Sequence, residues 1–374
     1  MKPPGTPFPT TGYYGPAFFC DREAELEQLR KNFEGGHSTT LISLRRLGKT
    51  ALIKHFFHHL GSGAVTIYLD ILPTESLGDF LNRLSTAILE QIPEKSPLGK
   101  KMWHAIRSLR PVVSYDALSG TPQISIRSNP EESKKSIGEL LRLLEAQSRP
   151  VVIAIDEFQQ ILRYRETRTD AWLRSLVQEL RNVSFVFSGS QQHLMTELFS
   201  SPDRPFFRST QFLKIGKIPG ERYAPFIGES FRKQGRQIDA EIVDAMLAWA
   251  SGHTYYVQLL CNRVFLTHTK LIRDETWKEE ALKILKEQEP VFFAYREMLT
   301  KPQWDLLKAI AKEEIVHHPH GAFFLSGHGL RNQATVHRSL LSLLKQELVY
   351  REHDSEGRPF YGVYDVLFSR WIGR

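Results

Sequence analysis

The sequence predicts an α/β fold: a parallel sheet covered on both faces, then an all-helical region, then helices closed by a short hairpin. Three observations predict it. Apolar runs without strict alternation, such as "VVIAI" at 151–155, recur between segments of helical periodicity, as strands buried on both faces do. From 221 to 290 strand-type runs cease, and helical periodicity breaks only at Gly235 and at Ser251-Gly252. Beyond 290, helical stretches at 302–312 and 331–346 precede "LVYRE" and "PFYGVY" around the turn "HDSEG", and a last helix ends at Trp371. Helices followed by a hairpin is the winged-helix order.

A chain of 374 residues has room for two or three domains. With 41% hydrophobic and 24% charged residues it can bury a core, which excludes wholesale disorder. The formal charge of +7 permits an acidic partner such as nucleic acid without requiring one. Cys20 and Cys261 build neither a disulfide framework nor a zinc site, so a reducing interior is expected. The opening "MKPPGTPFPTTGYYG" has no apolar core of a signal peptide, and no run is long enough to span a bilayer. A soluble, cytoplasmic protein without membrane contact is expected.

In chain order, a Pro/Gly-rich leader (1–20) gives way to a helix in "DREAELEQLRKNFEGG", with Asp21 as N-cap, Leu26, Leu29 and Phe33 on one face and Gly35-Gly36 as the stop. "STTLISL" reads as a strand, and "KTALIKHFFHHL" as a helix ending at Gly61. A second strand is predicted at 64–71 and a helix in "SLGDFLNRLSTAILEQI". Residues 93–130 interrupt this rhythm, where "PVVSYDA" and "TPQISIR" flank Leu118-Ser119-Gly120 and predict an inserted hairpin. A helix at 131–147, the strand "VVIAI", another helix, and strands "VSFVF" (183–187) and "QFLKI" (211–215) complete the sheet. The expected domains are 21–217 around the sheet, a helical lid at 218–290 and a winged helix at 291–374.

The junction "SLRRLGKT" (43–50) fits the phosphate-loop pattern G-x-x-x-x-G-K-[ST] except for Ser43 in place of the first glycine. The backbone N–H groups of Ser43, Leu44, Arg45, Arg46, Leu47 and Gly48, with the helix start at Lys49, Thr50 and Ala51, would face phosphates. Lys49 would place a charge at the β- and γ-phosphates, and the Thr50 hydroxyl would ligate Mg²⁺. Serine suffices at 43 if its φ is negative. Alone, "GKT" equally opens an ordinary helix. "VVIAIDEF" then ends an apolar strand in Asp156, placed to hold Mg²⁺, and Glu157, placed to activate water; alone, this is equally a strand followed by an N-cap Asp. Together and in this order they predict nucleotide binding. "FVFSGSQQHLM" adds Ser188 and Ser190 after a strand expected between the other two, where a hydroxyl reads the γ-phosphate or the attacking water, or else simply makes a turn. "RPFFRST" offers Arg204 and Arg208 as arginine fingers in cis or in trans, or as plain surface charges.

Those segments, with "PFPTTGYYGPAFFCDREAELEQL" and "SGHTYYVQLLCNRV", resemble the archaeal-type ATPases, a family in the AAA+/STAND branch of P-loop NTPases, similar in layout to origin-recognition ATPases with a C-terminal winged helix. The resemblance implies an ASCE/AAA+-like P-loop NTPase sheet with helical lid and winged helix, and ATP/ADP with Mg²⁺ as ligands. It makes Lys49 and Thr50 the phosphate and metal residues, Asp156 the metal carboxylate, Glu157 the catalytic one and Arg208 the finger. It places a lid contact to nucleotide at Ser251-Gly252-His253-Thr254, with His253 the candidate and Thr254 where relatives often carry proline. Arg45 and Arg46 match "GxRRxGKT". The lack of an N/T-K-x-D guanine-reading element agrees with ATP over GTP.

In the C-terminal segment, "RNQATVHRSLLSLLKQ" offers Arg331, Asn332, Gln333, Thr335, His337 and Arg338 to solvent and Leu340, Leu341, Leu343 and Leu344 to the core, with Arg358 in the wing. Arg331, Gln333, Thr335, Arg338 and Arg358 suit DNA. From 295 onward eleven Lys/Arg oppose nine Asp/Glu, a balance too even to separate a DNA reader from a protein-docking module. His317, His318 and His320 read as loop residues. The expectation is therefore an Mg-dependent ATPase switch that gates DNA or protein binding. The alternative is a nucleotide-stabilised binding module with little hydrolysis, and a third case is a homo-oligomer in which Arg208 comes from a neighbour.

Overall fold

The computed structural model describes residues 5–115 and 122–373; the turn expected at 118–120 lies outside them. The chain divides into two compact units, Gly12–Lys217 and a second formed by Ile218 onward with the segment up to Thr11.

The first unit contains α1 (Glu23–Glu34), β1 (Thr39–Ile42), α2 (Lys49–Leu60), β2 (Val65–Asp70), α3 (Leu77–Gln91), α4 (Pro97–Ser108), β3 (Val112–Tyr115), β4 (Pro122–Ser125), α5 (Pro130–Glu145), β5 (Val151–Asp156), α6 (Thr169–Glu179), β6 (Val183–Ser188), α7 (Gln192–Ser200) and β7 (Gln211–Lys214). Its five-stranded sheet is parallel throughout, in the order β2-β5-β6-β1-β7. Every residue of β5 and β6 is buried, because each face carries its own core. Val151, Ile153 and Ile155 join the cluster of α3 and α5 residues such as Leu81, Leu84 and Ile137. Val152 and Ala154 join Leu29, Leu52, Ile53 and Phe56 from α1 and α2. Period-2 alternation is thus present in side-chain direction and absent in polarity.

The inserted hairpin forms as expected, β3 antiparallel to β4. The helix α4 before it is an addition to the sequence reading, which takes 93–130 only as a break in the rhythm with a hairpin. Pro97 occupies the first turn, where its missing N–H is harmless, the Ser96 hydroxyl accepts from Gly99 N–H at 2.9 Å, and Leu98, Met102 and Ile106 are buried at helical spacing. Asp21 is not the N-cap of α1. That position falls to Arg22 at φ 82°, whose buried guanidinium donates to Glu25 Oε1 at 2.8 Å and to the Gly216 carbonyl at 2.7 Å.

The second unit runs α8 (Gly220–Lys233), β8 (Gln237–Ile238), α9 (Ala240–Trp249), α10 (Thr254–Leu266), β9 (Leu271–Ile272), α11 (Asp274–Met298), α12 (Lys301–Glu313), α13 (Ala322–Gly327), α14 (Gln333–Lys345), β10 (Val349–His353), β11 (Pro359–Val363) and α15 (Val366–Ile372). The expectation that strands cease after 220 is corrected by β8 and β9, a parallel pair of two residues each, too short for periodicity to reveal. α11 continues through Pro290 without a break. Part of the leader packs here: Phe8 is fully buried, 4.7 Å from the Phe231 ring, and its carbonyl accepts from Asn262 Nδ2 at 2.9 Å. The antiparallel β10–β11 hairpin follows α14 and completes the winged-helix order. Among the described residues no helix is long and apolar enough to cross a membrane.

Candidate functional site

Strand parity assembles the site. Asp156 shares the parity of Val152 and Ala154, so it faces the α2 side at the C-terminal end of β5. Ser188 shares that of Val186 in β6, and Asp70 that of Tyr68 in β2; Asp70 and Asp156 are register partners. The loop between β1 and α2 opens on the same edge, because β1, β6 and β5 run parallel, and on the same face, because α2 packs against Val152 and Ala154.

The geometry follows. Thr50 Oγ1 donates to Asp156 Oδ2 at 2.7 Å, and Tyr68 donates its hydroxyl proton to the same oxygen at 2.8 Å. The Ser188 hydroxyl and the Glu157 N–H, the latter at 3.1 Å, donate to Oδ1. Asp156 is therefore held by four donors from four segments of the chain. Burial, with the Asp156 carboxylate beside it, lifts the Tyr68 phenol far above its usual range, so it stays a donor. Burial likewise raises Asp70 and outweighs the lowering by the Leu72 N–H, with smaller upward pushes from Asp156 and Glu157.

Gly48, at φ 96°, turns the chain into α2 in a conformation costly for a residue with a Cβ. Ser43 is not among the positive-φ residues and is fully buried, so the chain leaves β1 without needing a glycine. Its hydroxyl accepts from Lys49 Nζ at 3.0 Å and donates to the Leu44 carbonyl at 2.7 Å, while Nζ also donates to that carbonyl at 3.2 Å. Burial lowers the Lys49 ammonium to about 8, against the pull of Asp156 and Glu157.

Glu157 sits at φ 57°, which swings its carboxylate off the strand direction. Phe158 is fully buried among Phe187, Phe199 and Phe206, with ring centroids 4.4 to 5.7 Å away, and anchors this turn. Glu157 Oε2 accepts from Gln159 Nε2 at 2.5 Å and from Ser190 Oγ at 2.8 Å. Gly189 permits the approach, since a Cβ there would lie 2.1 Å from Gln159 Oε1. Lys49, Thr50, Asp156, Glu157, Ser188 and Ser190 thus converge. Tyr68, Asp70 and Gln159 were missed; the only signal for the first two was that the strand-type runs "IYLD" and "IAID" both end in Asp, and Gln159 gave none.

Other expected residues lie elsewhere. Arg208 precedes β7, whose first residue, Gln211, pairs with Thr39 at the start of β1, whereas the phosphate-type loop follows the end of β1. Parallel strands put all their starts on one edge, so Arg208 sits across the sheet from Asp156. Arg204 is engaged by Glu197 and, at 3.9 Å, by Asp170. His253 belongs to the second unit, where it is buried at the N-cap of α10 with its ring 4.8 Å from Tyr256.

Arg331, just before α14, and Gln333, His337 and Arg338 on it are exposed. Thr335 is half-buried, and Leu341, expected in the core, is 54% exposed; it lies one helical turn beyond Arg338 and faces outward with it. Gln333 Nε2 donates to the His320 carbonyl at 3.1 Å. Arg358 in the wing is paired with Asp354 at 2.9 Å and Glu356 at 3.0 Å.

Residues 19–260 match the model of an ATPase domain predominantly from Archaea, and 290–374 that of a probable winged helix domain. A comparison with curated proteins finds no match. Among solved structures, the fold is like that of the Walker-type ATPase PABY2304 of Pyrococcus abyssi, at 15% identity over 98% of this chain and 99% of that one, TM-score 0.66. It is also like the Aeropyrum pernix ORC2 protein in ADPNP-ADP complexes (12% identity, 97% and 95% covered, TM-score 0.60) and the ORC1 protein of that organism in complex with DNA (14%, 98% and 96%, TM-score 0.51).

Proposed function

Since the chain belongs to the family of ATPase domains found predominantly in Archaea, we propose that it is an Mg-dependent ATPase whose nucleotide state gates binding of a partner by the winged helix. The observation that carries this reading is the bond from Thr50 on the β1–α2 junction to Asp156 at the end of β5, which brings an alcohol and a carboxylate oxygen to one point beside Lys49. Hard oxygen donors of this kind suit Mg²⁺.

In this reading the N–H groups of residues 43–48 and the start of α2, through Ala51, cradle the phosphates, and Lys49 exchanges its Ser43 and Leu44 partners for phosphate oxygens. Arg45 and Arg46 add positive potential. Bound Mg²⁺, held by Thr50 and Asp156, would neutralise charge on the phosphate oxygens. Glu157 accepts the proton of the attacking water, and Ser190 and Gln159 hold its carboxylate in place. Arg208, on the far edge of the sheet, serves only a neighbouring copy, and so implies turnover by an oligomer.

For the winged helix, Arg331 before α14 and Gln333, Arg338 and the half-buried Thr335 on it support duplex DNA as the partner, and Arg358 contributes least because its charge is already paired. The exposure of Leu341 on the same helix favours a second reading, a protein partner.

Steady-state ATP turnover with Mg²⁺ tests the proposal, measured for the wild type, Lys49→Ala and Glu157→Gln at several protein concentrations, with and without duplex DNA. Both changes should abolish turnover while Glu157→Gln still binds ATP, and turnover per subunit should rise with concentration. ATP binding that Lys49→Ala removes, with no turnover at any concentration, would leave a nucleotide-stabilised binding module.

A further inference from the structure

The N-terminal edge of the sheet carries a polar depression on the side away from the phosphate-type loop. Its polar lining includes His37 and Ser38 from the α1–β1 connection, Arg174 and Gln178 from α6, and Arg208 and Thr210 before β7. No Asp or Glu lines it among the described residues. Much of this wall is already committed to the fold. Ser38 Oγ accepts from the Phe185 N–H at 3.1 Å, and the Thr210 and Thr40 hydroxyls are 2.7 Å apart. What remains is cationic.

Arg174 is oriented but not neutralised. With its amide oxygen turned toward α6, Gln178 accepts from both terminal nitrogens of Arg174, at 3.1 and 2.7 Å. Arg174 Nε is buried and has no hydrogen-bond partner among the described residues, an arrangement that costs desolvation energy unless something else supplies an acceptor. Burial also pulls this guanidinium below its usual pKa. Arg208 is exposed, with its own ring neighbour Phe207 at 5.2 Å, and stands at φ 50°. That strained conformation is held by the Arg208 N–H on the Phe199 carbonyl at 3.0 Å and by the fully buried Phe206. Arg204, bridging Glu197 and Asp170 of the first turn of α6, ties the two arginine-bearing segments together.

We infer that this depression is a seat for a phosphate group, in which Arg174 acts with Arg208. Two guanidinium groups with no carboxylate between them match a multiply charged oxyanion, which accepts several N–H donors at once. The inference rests on the reading of Arg208 as a residue that serves a neighbouring copy, and adds to it a second arginine from a different element. The phosphate has two sources: the nucleotide on a second copy of this chain, or a free phosphate compound.

Two experiments separate these. Pyrophosphate is first titrated calorimetrically into full-length Lys49→Ala protein, whose phosphate-type loop is disabled. Binding is expected, weakened about tenfold or more by adding Arg174→Ala and less by adding Arg174→Lys, with melting temperatures checking that each variant folds. This arm is independent of ATP turnover, so it stands or falls apart from the ATPase reading. Turnover is then measured for Arg174→Ala with Arg208→Ala (intact loop), alone and mixed with Lys49→Ala (intact arginines). Recovery in the mixture assigns the seat to a neighbour's nucleotide. Pyrophosphate binding without recovery assigns it to a free phosphate compound. No pyrophosphate binding to Lys49→Ala protein, together with unchanged turnover in Arg174→Ala, overturns the inference.

Discussion

Thr50 Oγ1 donates to Asp156 Oδ2 at 2.7 Å although 106 residues separate them in the chain. The bond spans the two motifs whose conjunction predicts nucleotide binding. Thr50→Ser keeps the oxygen and should retain Mg-dependent turnover within about tenfold. Thr50→Val keeps the shape and should lose on the order of a hundredfold, the scale of removing one oriented group at a charged centre. A titration of turnover against Mg²⁺ checks this; equal Mg²⁺ requirements for Ser and Val would remove Thr50 from the metal role.

Lys49 gives a pH signature. Its ammonium is lowered to about 8 by burial, and polyphosphate binding favours the charged form. Below about 8 the lysine is already protonated, so it adds no pH dependence to affinity. Above about 8 ligand binding must take up a proton, and affinity should fall by up to about tenfold per pH unit. For folding the sign is separate: a lysine lowered in the native state disfavours folding most below about 8, and that cost fades as pH rises toward the unfolded value. ATP affinity measured from pH 7 to 9.5 should show the break in the wild type and lose it in Lys49→Arg, whose guanidinium stays charged.

Ser190 Oγ and Gln159 Nε2 both donate to Glu157 Oε2. Each is a hydrogen bond to an ionised acceptor, with a contribution of about 1.5–3 kcal/mol. If they position the catalytic carboxylate, Ser190→Ala should lower kcat by roughly tenfold to a hundredfold and leave ATP affinity unchanged. Ser190→Thr should restore part of it. A change in affinity with constant kcat would make Ser190 a ground-state phosphate contact instead.

Arg370 on α15 closes the C-terminal end of α9. Its Nε donates to the Trp249 carbonyl and its Nη2 to the Ala248 carbonyl, both at 2.8 Å, and Nη2 reaches Ser251 Oγ at 3.3 Å. These are helix-terminal carbonyls that α9 cannot satisfy by itself. Arg370→Ala should destabilise the second unit by about 1–3 kcal/mol, read as a lower denaturant midpoint at constant m-value.

For the winged helix, exposed Arg338 and paired Arg358 should separate. Arg338→Ala should weaken DNA binding and lower the salt slope by about one, and Arg358→Ala should do neither. Unchanged binding in both, with loss on Leu341→Glu in a protein-association assay, would favour the protein partner.

The strands of the main sheet, the helix that Lys49 opens and the pairing of a phosphate-type loop with Asp156-Glu157 were legible in the sequence, because buried strands, helices and glycine turns carry local signals of composition and spacing. Asp156 and Glu157 were visible as residues at a strand end. The four donors on Asp156 were not, since Tyr68 and Ser188 reach it through sheet order and strand parity. Ser43, read as a departure from pattern, became an oxygen partner for Lys49 only once the loop was folded. Arg208 could be named from its segment, but its edge of the sheet follows from the parallel direction of every strand, and Arg174 gave no signal until α6, which carries it, packed beside the segment before β7. Local chemistry, then, was determined by the sequence itself; which groups meet was decided by tertiary structure, because long-range contacts depend on strand order and direction, which no spacing along the chain encodes.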